Sequence, residues 1–132
     1  MKKVAVLFSI LLLLVSCSTN APIEEEHKEL IESYGWSIKG IEEKEVYVLP
    51  EHEELVGFLN DQGLDTDELQ KHSKLYRQFV MLREKCLGEK MEAVLYSNEN
   101  NEIVGAQLIK EAYTPGVSAL AEKKEVMQTC KQ

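Results

Sequence analysis

Met91-Glu92-Ala93-Val94-Leu95-Tyr96-Ser97 and Ile103-Val104-Gly105-Ala106-Gln107-Leu108-Ile109 are two β-rich runs joined through Asn98-Glu99-Asn100-Asn101. Each run reads as a strand. Asparagine tolerates the left-handed backbone that tight connections need, so the segment predicts a β-hairpin. Gly105 marks a bulge or the close approach of another backbone.

Upstream, Leu75–Leu82 carries Tyr76, Phe79, Val80 and Met81 and reads as a third strand. Its Leu, Gln, Arg and Met also suit a helix. Asp65 is placed to cap a short helical turn, with Leu64 and Leu69 facing inward. Val46-Tyr47-Val48-Leu49 reads as a strand that Pro50 ends, and Pro50 opens a helix with Glu51, Glu53 and Glu54 at its first turn. Leu55, Val56, Phe58 and Leu59 form its expected buried face, and Gly63 its stop. A further strand begins near Trp36 and Ile38. Before it, Ile23, His27, Leu30, Ile31 and Tyr34 recur at helical spacing. Pro22 suits the entry, Glu24, Glu25 and Glu26 the first turn, and Gly35 the exit.

Downstream, Thr114-Pro115-Gly116 is a turn. Val117–Gln128 reads as a short helix with a weak apolar stripe, and the last residues are expected to fray. The expected fold is α+β: two N-terminal helices packed on one face of a small, mostly antiparallel sheet that ends in the β-hairpin. The sequence divides as a signal peptide (1–16), a polar tether (17–22), a single domain (23–121) and a C-terminal tail (122–132).

The N-terminal division rests on Lys2 and Lys3, followed by an apolar run from Val4 to Val15. The run is shorter than the roughly twenty residues that span a bilayer, and the pattern is that of a secretory signal. Leu14-Val15-Ser16-Cys17 resembles the lipobox of bacterial lipoproteins. That resemblance implies cleavage before Cys17 and a diacylglycerol thioether on its sulfur. The alternative is an ordinary signal peptide with a chance cysteine. Ser18 to Pro22 read as the tether.

The 132 residues carry a formal charge of −8. The imbalance argues against a nucleic-acid partner, because a phosphate backbone calls for Lys and Arg. Removing residues 1–16 takes away two lysines and no acid, so the mature chain stands at −10. Residues 24–68 hold fifteen acids against three lysines, while residues 69–132 hold eight acids against ten basic groups. Anionic headgroups would repel the acidic half, which is expected to turn from the membrane or to meet cations there.

Glu32-Ser33-Tyr34-Gly35-Trp36, Val48-Leu49-Pro50, Asp61-Gln62-Gly63-Leu64-Asp65 and Ile103-Val104-Gly105-Ala106 occur in that order. This order resembles a small domain of unknown function in lipoproteins of Gram-positive bacteria. The resemblance covers about His27–Leu120. It implies a Gram-positive envelope protein and brings no catalytic residues. The segment after the last strand, Tyr113 to Val117, departs from the Gly-rich aromatic close usual in that family.

His27, His52 and His72 are the histidines. None falls in an HExxH or similar spacing, and His27 lies on an apolar helix face, so no metal or cofactor is assigned. Asp65-Thr66-Asp67 begins like a calcium loop but lacks the glycine and distal glutamate. Most of the acids suit helix first turns and solubility. There is no Gly-x-Ser-x-Gly elbow, phosphate loop or Cys-x-x-Cys. A thiol–imidazole pair of Cys86 with His52 or His72 has no local support. With Cys17 lipidated, Cys86 and Cys130 are left as a pair, either as two free thiols or as a disulfide, which the extracytoplasmic space permits. Most aromatics are expected in the core. Trp36, just past a helix end, is the candidate exposed anchor, and Trp36, Glu51, Glu53 and Glu54 form the candidate partner surface.

The sequence thus points to an extracytoplasmic lipoprotein, held in the cell membrane by its lipid anchor. Its domain is expected to be a non-enzymatic binding or accessory module with an envelope protein as partner. The competing readings are a small envelope hydrolase and a divalent-cation-binding module.

Overall fold

The computed structural model describes residues 23–113 and 116–130. The elements run α1 (Glu25–Ser33), β1 (Ile38–Ile41), β2 (Glu45–Tyr47), α2 (Glu53–Asp61), α3 (Thr66–Leu69), β3 (Leu75–Cys86), β4 (Glu89–Asn98), β5 (Ile103–Lys110), β6 (Val117–Ala119) and α4 (Lys123–Thr129). Among the described residues the fold is α+β, a six-stranded sheet with four helices. The sheet order is β1-β3-β4-β5-β6, and β2 lies beside β1 along the same edge of β3. All five strand pairings are antiparallel.

The Asn-rich hairpin is present, with Asn101 at φ +62° and the Asn98 side chain accepting from the backbone N–H of Asn100 and Glu102. Tyr96 pairs with Gly105 and Ser97 with Ile103, so Val104 is the extra residue of a bulge, as Gly105 suggests. The side chain that approaches Gly105 is Leu64, whose Cδ2 would lie 3.1 Å from an added Cβ. The β3–β4 turn is tighter, with Leu87 at φ +53° and Gly88 at φ +80°.

The alternation along β4 divides the core. Met91, Ala93 and Leu95 face one way and pack with Ile31, Trp36, Val80, Leu82, Leu108, Val126 and the two cysteines. Val94 and Tyr96 face the other way and pack with Leu64, Leu69 and Leu75, joined by Tyr47, Leu49, Leu59 and Phe79. Both sheet faces are therefore covered, α1 and α4 on one and the α2–α3 segment on the other. The expectation of a single covered face beneath the two helices is corrected by β4. Its run Met91 to Asn98 is instead buried on almost every position, as in a central strand between two layers.

Three further expectations are corrected. The sheet does not end in the hairpin, because Val117–Ala119 adds a short strand to β5. Residues 122–130 are not a loose tail: α4 is docked by Val126 and Cys130, both at least nine-tenths buried, and residues 131–132 lie outside the described ones. The α2 stripe is not buried either, and Leu55 and Phe58 remain about half exposed. Leu64 and Leu69 already fill the sheet face that α2 would need, so only the half-buried Leu59 reaches that core.

Helix ends follow local chemistry. Glu25 and Glu26, Glu53 and Glu54, and Asp67 and Glu68 occupy first turns, where the helix dipole favours them. Asp65 caps α3 by accepting from the Glu68 N–H at 3.2 Å. Gly35 and Gly63 leave their helices at φ +94° and +90°. Pro22, Pro115 and the signal segment lie outside the described residues.

Candidate functional site

Val46-Tyr47-Val48-Leu49 is the segment to build from. Alternation sends Tyr47 inward and Val46 outward. Tyr47 meets Tyr96 edge-to-face with ring centroids 5.1 Å apart. The Arg77 guanidinium lies 5.0 Å from the Tyr47 ring centre and 5.1 Å from that of Phe79, and it donates from two nitrogens to Glu45. Glu45 and Arg77 stand directly opposite each other across β2 and β3. Behind them, the Tyr96 hydroxyl donates to Gln107 Oε1 at 2.8 Å, and Gln107 Nε2 donates to the Gln62 carbonyl at 3.1 Å. Burial, reinforced by Tyr47, pushes the Tyr96 phenol up to about 12. Burial also raises Tyr47, against the pull of Arg77.

One side of β2 is thus held firmly. The other is open. Val46 is 68 % exposed and Val48 81 % exposed. β2 pairs with β3 alone, and no described strand lies along its outer edge. Leu49 precedes Pro50, which biases it to extended backbone and prolongs the edge beyond the ladder. On the β3 side, between this extension and the segment that leads into Leu75, lies an open groove of about 450 Å³, bordered by Val48, Glu51, His72 and Lys74. Glu53 and Glu54 are exposed in the helical turn that follows.

The sequence-derived candidates fare differently. Glu51, Glu53 and Glu54 stand exposed beside this edge. Trp36 does not: it is 2 % exposed and its indole donates to the Ala121 carbonyl at 2.9 Å. The apolar core beneath α1 and α4 has room for the indole, and Ala121 satisfies its N–H, so the residue is a core anchor. Cys86 and Cys130 form a disulfide with Cα atoms 5.0 Å apart, which leaves no Cys86 thiol for an imidazole partner. Cys17 lies outside the described residues.

The histidines have separate structural roles. His27 is buried, and its Nε2 lies 2.8 Å from the Asn101 carbonyl oxygen. His52 caps α2 by accepting from the Glu54 N–H through Nδ1. His72 sits 3.7 Å from Glu68, and Glu68 is held below the usual carboxylate range chiefly by its hydrogen bond from Lys71. Asp65-Thr66-Asp67 is the start of α3, with Thr66 buried and donating to Asn60 Oδ1, so its oxygens do not encircle a cation. Among the described residues no three His, Cys, Asp or Glu side chains converge as a metal site.

The open edge was missed at sequence level, although one signal was there. Pro50, three positions past β2, has no N–H to donate and limits how far a ladder can extend along this segment.

Fold and site together define a small α+β domain that presents a braced, acidic-flanked sheet edge. No family model, no curated protein and no solved structure matches the chain. Among the described residues no helix is long and apolar enough to cross a membrane.

Proposed function

We propose that this chain is an extracytoplasmic lipoprotein, anchored in the cell membrane through Cys17, whose domain is a non-enzymatic binding or accessory module. The lipobox Leu14 to Cys17 supports the anchor, and two acyl chains hold a protein stably where one does so marginally. The motif order quoted above favours a Gram-positive envelope. One observation carries the binding role: the β2 edge keeps Val46 and Val48 in solvent while Tyr47, Arg77 and Glu45 hold the strand rigid. Rigid presentation lowers the ordering cost of binding. In this reading the two N-terminal helices, α1 and α2, stand nearest the anchor in sequence, one on each sheet face.

The tether of residues 17–22 reaches at most about 20 Å when extended, so the acidic start of α1 stays close to the bilayer. This favours the second of the two expectations for the acidic half, that it meets cations there.

The test is recovery of the full chain from membranes. A stoichiometric protein partner supports the reading. Turnover of an envelope substrate that one side-chain substitution abolishes favours the hydrolase and sinks it. A melting temperature that rises with millimolar Ca²⁺ favours the cation module instead.

A further inference from the structure

We infer that the outer edge of β2 takes an extended, basic-flanked polypeptide segment as an added strand. The inference rests on the binding reading above and names the partner's chemistry. A short edge with unpaired backbone groups is a template for strand addition, in which main-chain hydrogen bonds give affinity and alternate side chains give specificity. Natural sheets blunt such edges with lysine, bulges or a covering loop. Here the edge residues Val46 and Val48 are both exposed, and no described strand lies along their outer side.

Charge selects the occupant. Glu42, Glu43 and Glu45 precede the edge, and Glu51, Glu53 and Glu54 follow it, with Lys44 as the basic residue between 42 and 54. Glu45 is engaged by Arg77, and Lys44 is turned to the Asn101 side chain at 2.9 Å. The two ends of the edge are therefore acidic and its middle is apolar. A second copy gains little, because antiparallel self-pairing about Tyr47 and Val48 sets Glu42 against Glu53 of the other copy, while Lys44, which would face Glu51, is turned to Asn101. An anionic bilayer is disfavoured by the same charges. A strand with Val or Thr at its centre and Lys or Arg at both ends matches the backbone edge, its apolar middle and its charge together.

The test uses the full chain in detergent and labelled, end-capped peptides with alternating Val and Thr between either lysine ends or glutamate ends. The lysine-ended peptide is expected to bind at least about tenfold tighter than the glutamate-ended one, and the preference should shrink with added salt. Val48→Pro lies just beyond the β2–β3 ladder and should weaken binding at least about tenfold with the melting temperature unchanged. The combined Glu51→Lys, Glu53→Lys and Glu54→Lys variant leaves Glu42 and Glu43 at the other end and should abolish the charge preference. Binding no tighter than about 1 mM for every peptide, or binding that ignores both variants, overturns the proposal. Concentration-dependent dimerisation abolished by Val48→Pro overturns it in favour of a second copy. A membrane partner that crosslinks only to other surfaces overturns the edge while leaving the binding reading in place.

Discussion

The Trp36 indole donates to the Ala121 carbonyl at 2.9 Å and so joins residues 85 positions apart. The bond ties the exit of α1 to the entry of α4. The Lys123 N–H, which donates to the Tyr34 carbonyl at 2.9 Å, runs beside it. Trp36→Phe should cost about 1–3 kcal/mol, since the Ala121 carbonyl loses its donor and the indole volume is only partly refilled. Chemical denaturation measures it. A change within the error of the melt would show that the indole is dispensable.

The Cys86–Cys130 bridge closes 44 positions and fastens α4 to the end of β3. Replacing both cysteines by alanine should cost about 2–4 kcal/mol. Hydrogen exchange in Lys123–Thr129 should rise first, since that helix is the shorter partner. Two free thiols in the purified protein by non-reducing mass spectrometry would remove the bridge from the account.

Leu87 holds φ +53° at a half-exposed hairpin tip, a conformation that L side chains other than Asn and Asp adopt at a cost. Leu87→Asn should stabilise the protein by about 0.5–1 kcal/mol. A loss of stability would mean that the leucine makes a contact worth more than its backbone strain.

Two glycines should respond with opposite signs. Gly63 sits at φ +90°, and a Cβ there would lie 2.4 Å from the Ala119 nitrogen, so Gly63→Ala should destabilise by about 2 kcal/mol or more. Gly57 lies within α2 with open space around it, so Gly57→Ala should stabilise by about 0.5–1 kcal/mol. Equal effects from the two would contradict the close packing of Gly63 on β6.

Tyr96 links stability to alkaline pH. Burial raises its phenol to about 12, against about 10 in an unfolded chain. The folded state keeps a proton that the unfolded state has lost. The stabilisation is complete below about pH 10 and is lost as the pH rises through about 12. Tyr96→Phe should flatten part of that decline in denaturant melts. An unchanged slope would put the phenol in an ordinary aqueous setting.

Much of the fold was legible in the sequence because local chemistry agreed with it. Asn98 to Asn101 turn where asparagines predict a turn, Asp65 caps, and Gly35 and Gly63 end helices. The misreadings arise where tertiary packing decides. Nothing local tells whether Leu55 and Phe58 find a core, because Leu64 and Leu69 compete for the same sheet face. Trp36 follows a helix end that looks exposed until residue 121 returns to cover it. Val117–Ala119 is too short to show a period, and only its pairing with β5 makes it a strand. The quoted motif glycines also have packing roles: Gly63 lies against Ala119, and Gly105 lies beneath Leu64.

The anchored binding module depends first on the lipid at Cys17. Metabolic labelling with an alkyne fatty acid, comparing the full chain with Cys17→Ala in a Gram-positive host, tests it most directly. The account predicts label on the membrane-bound wild type, with none on the variant, which should leave the membrane. An unlabelled wild type, or equal label on both, would contradict it.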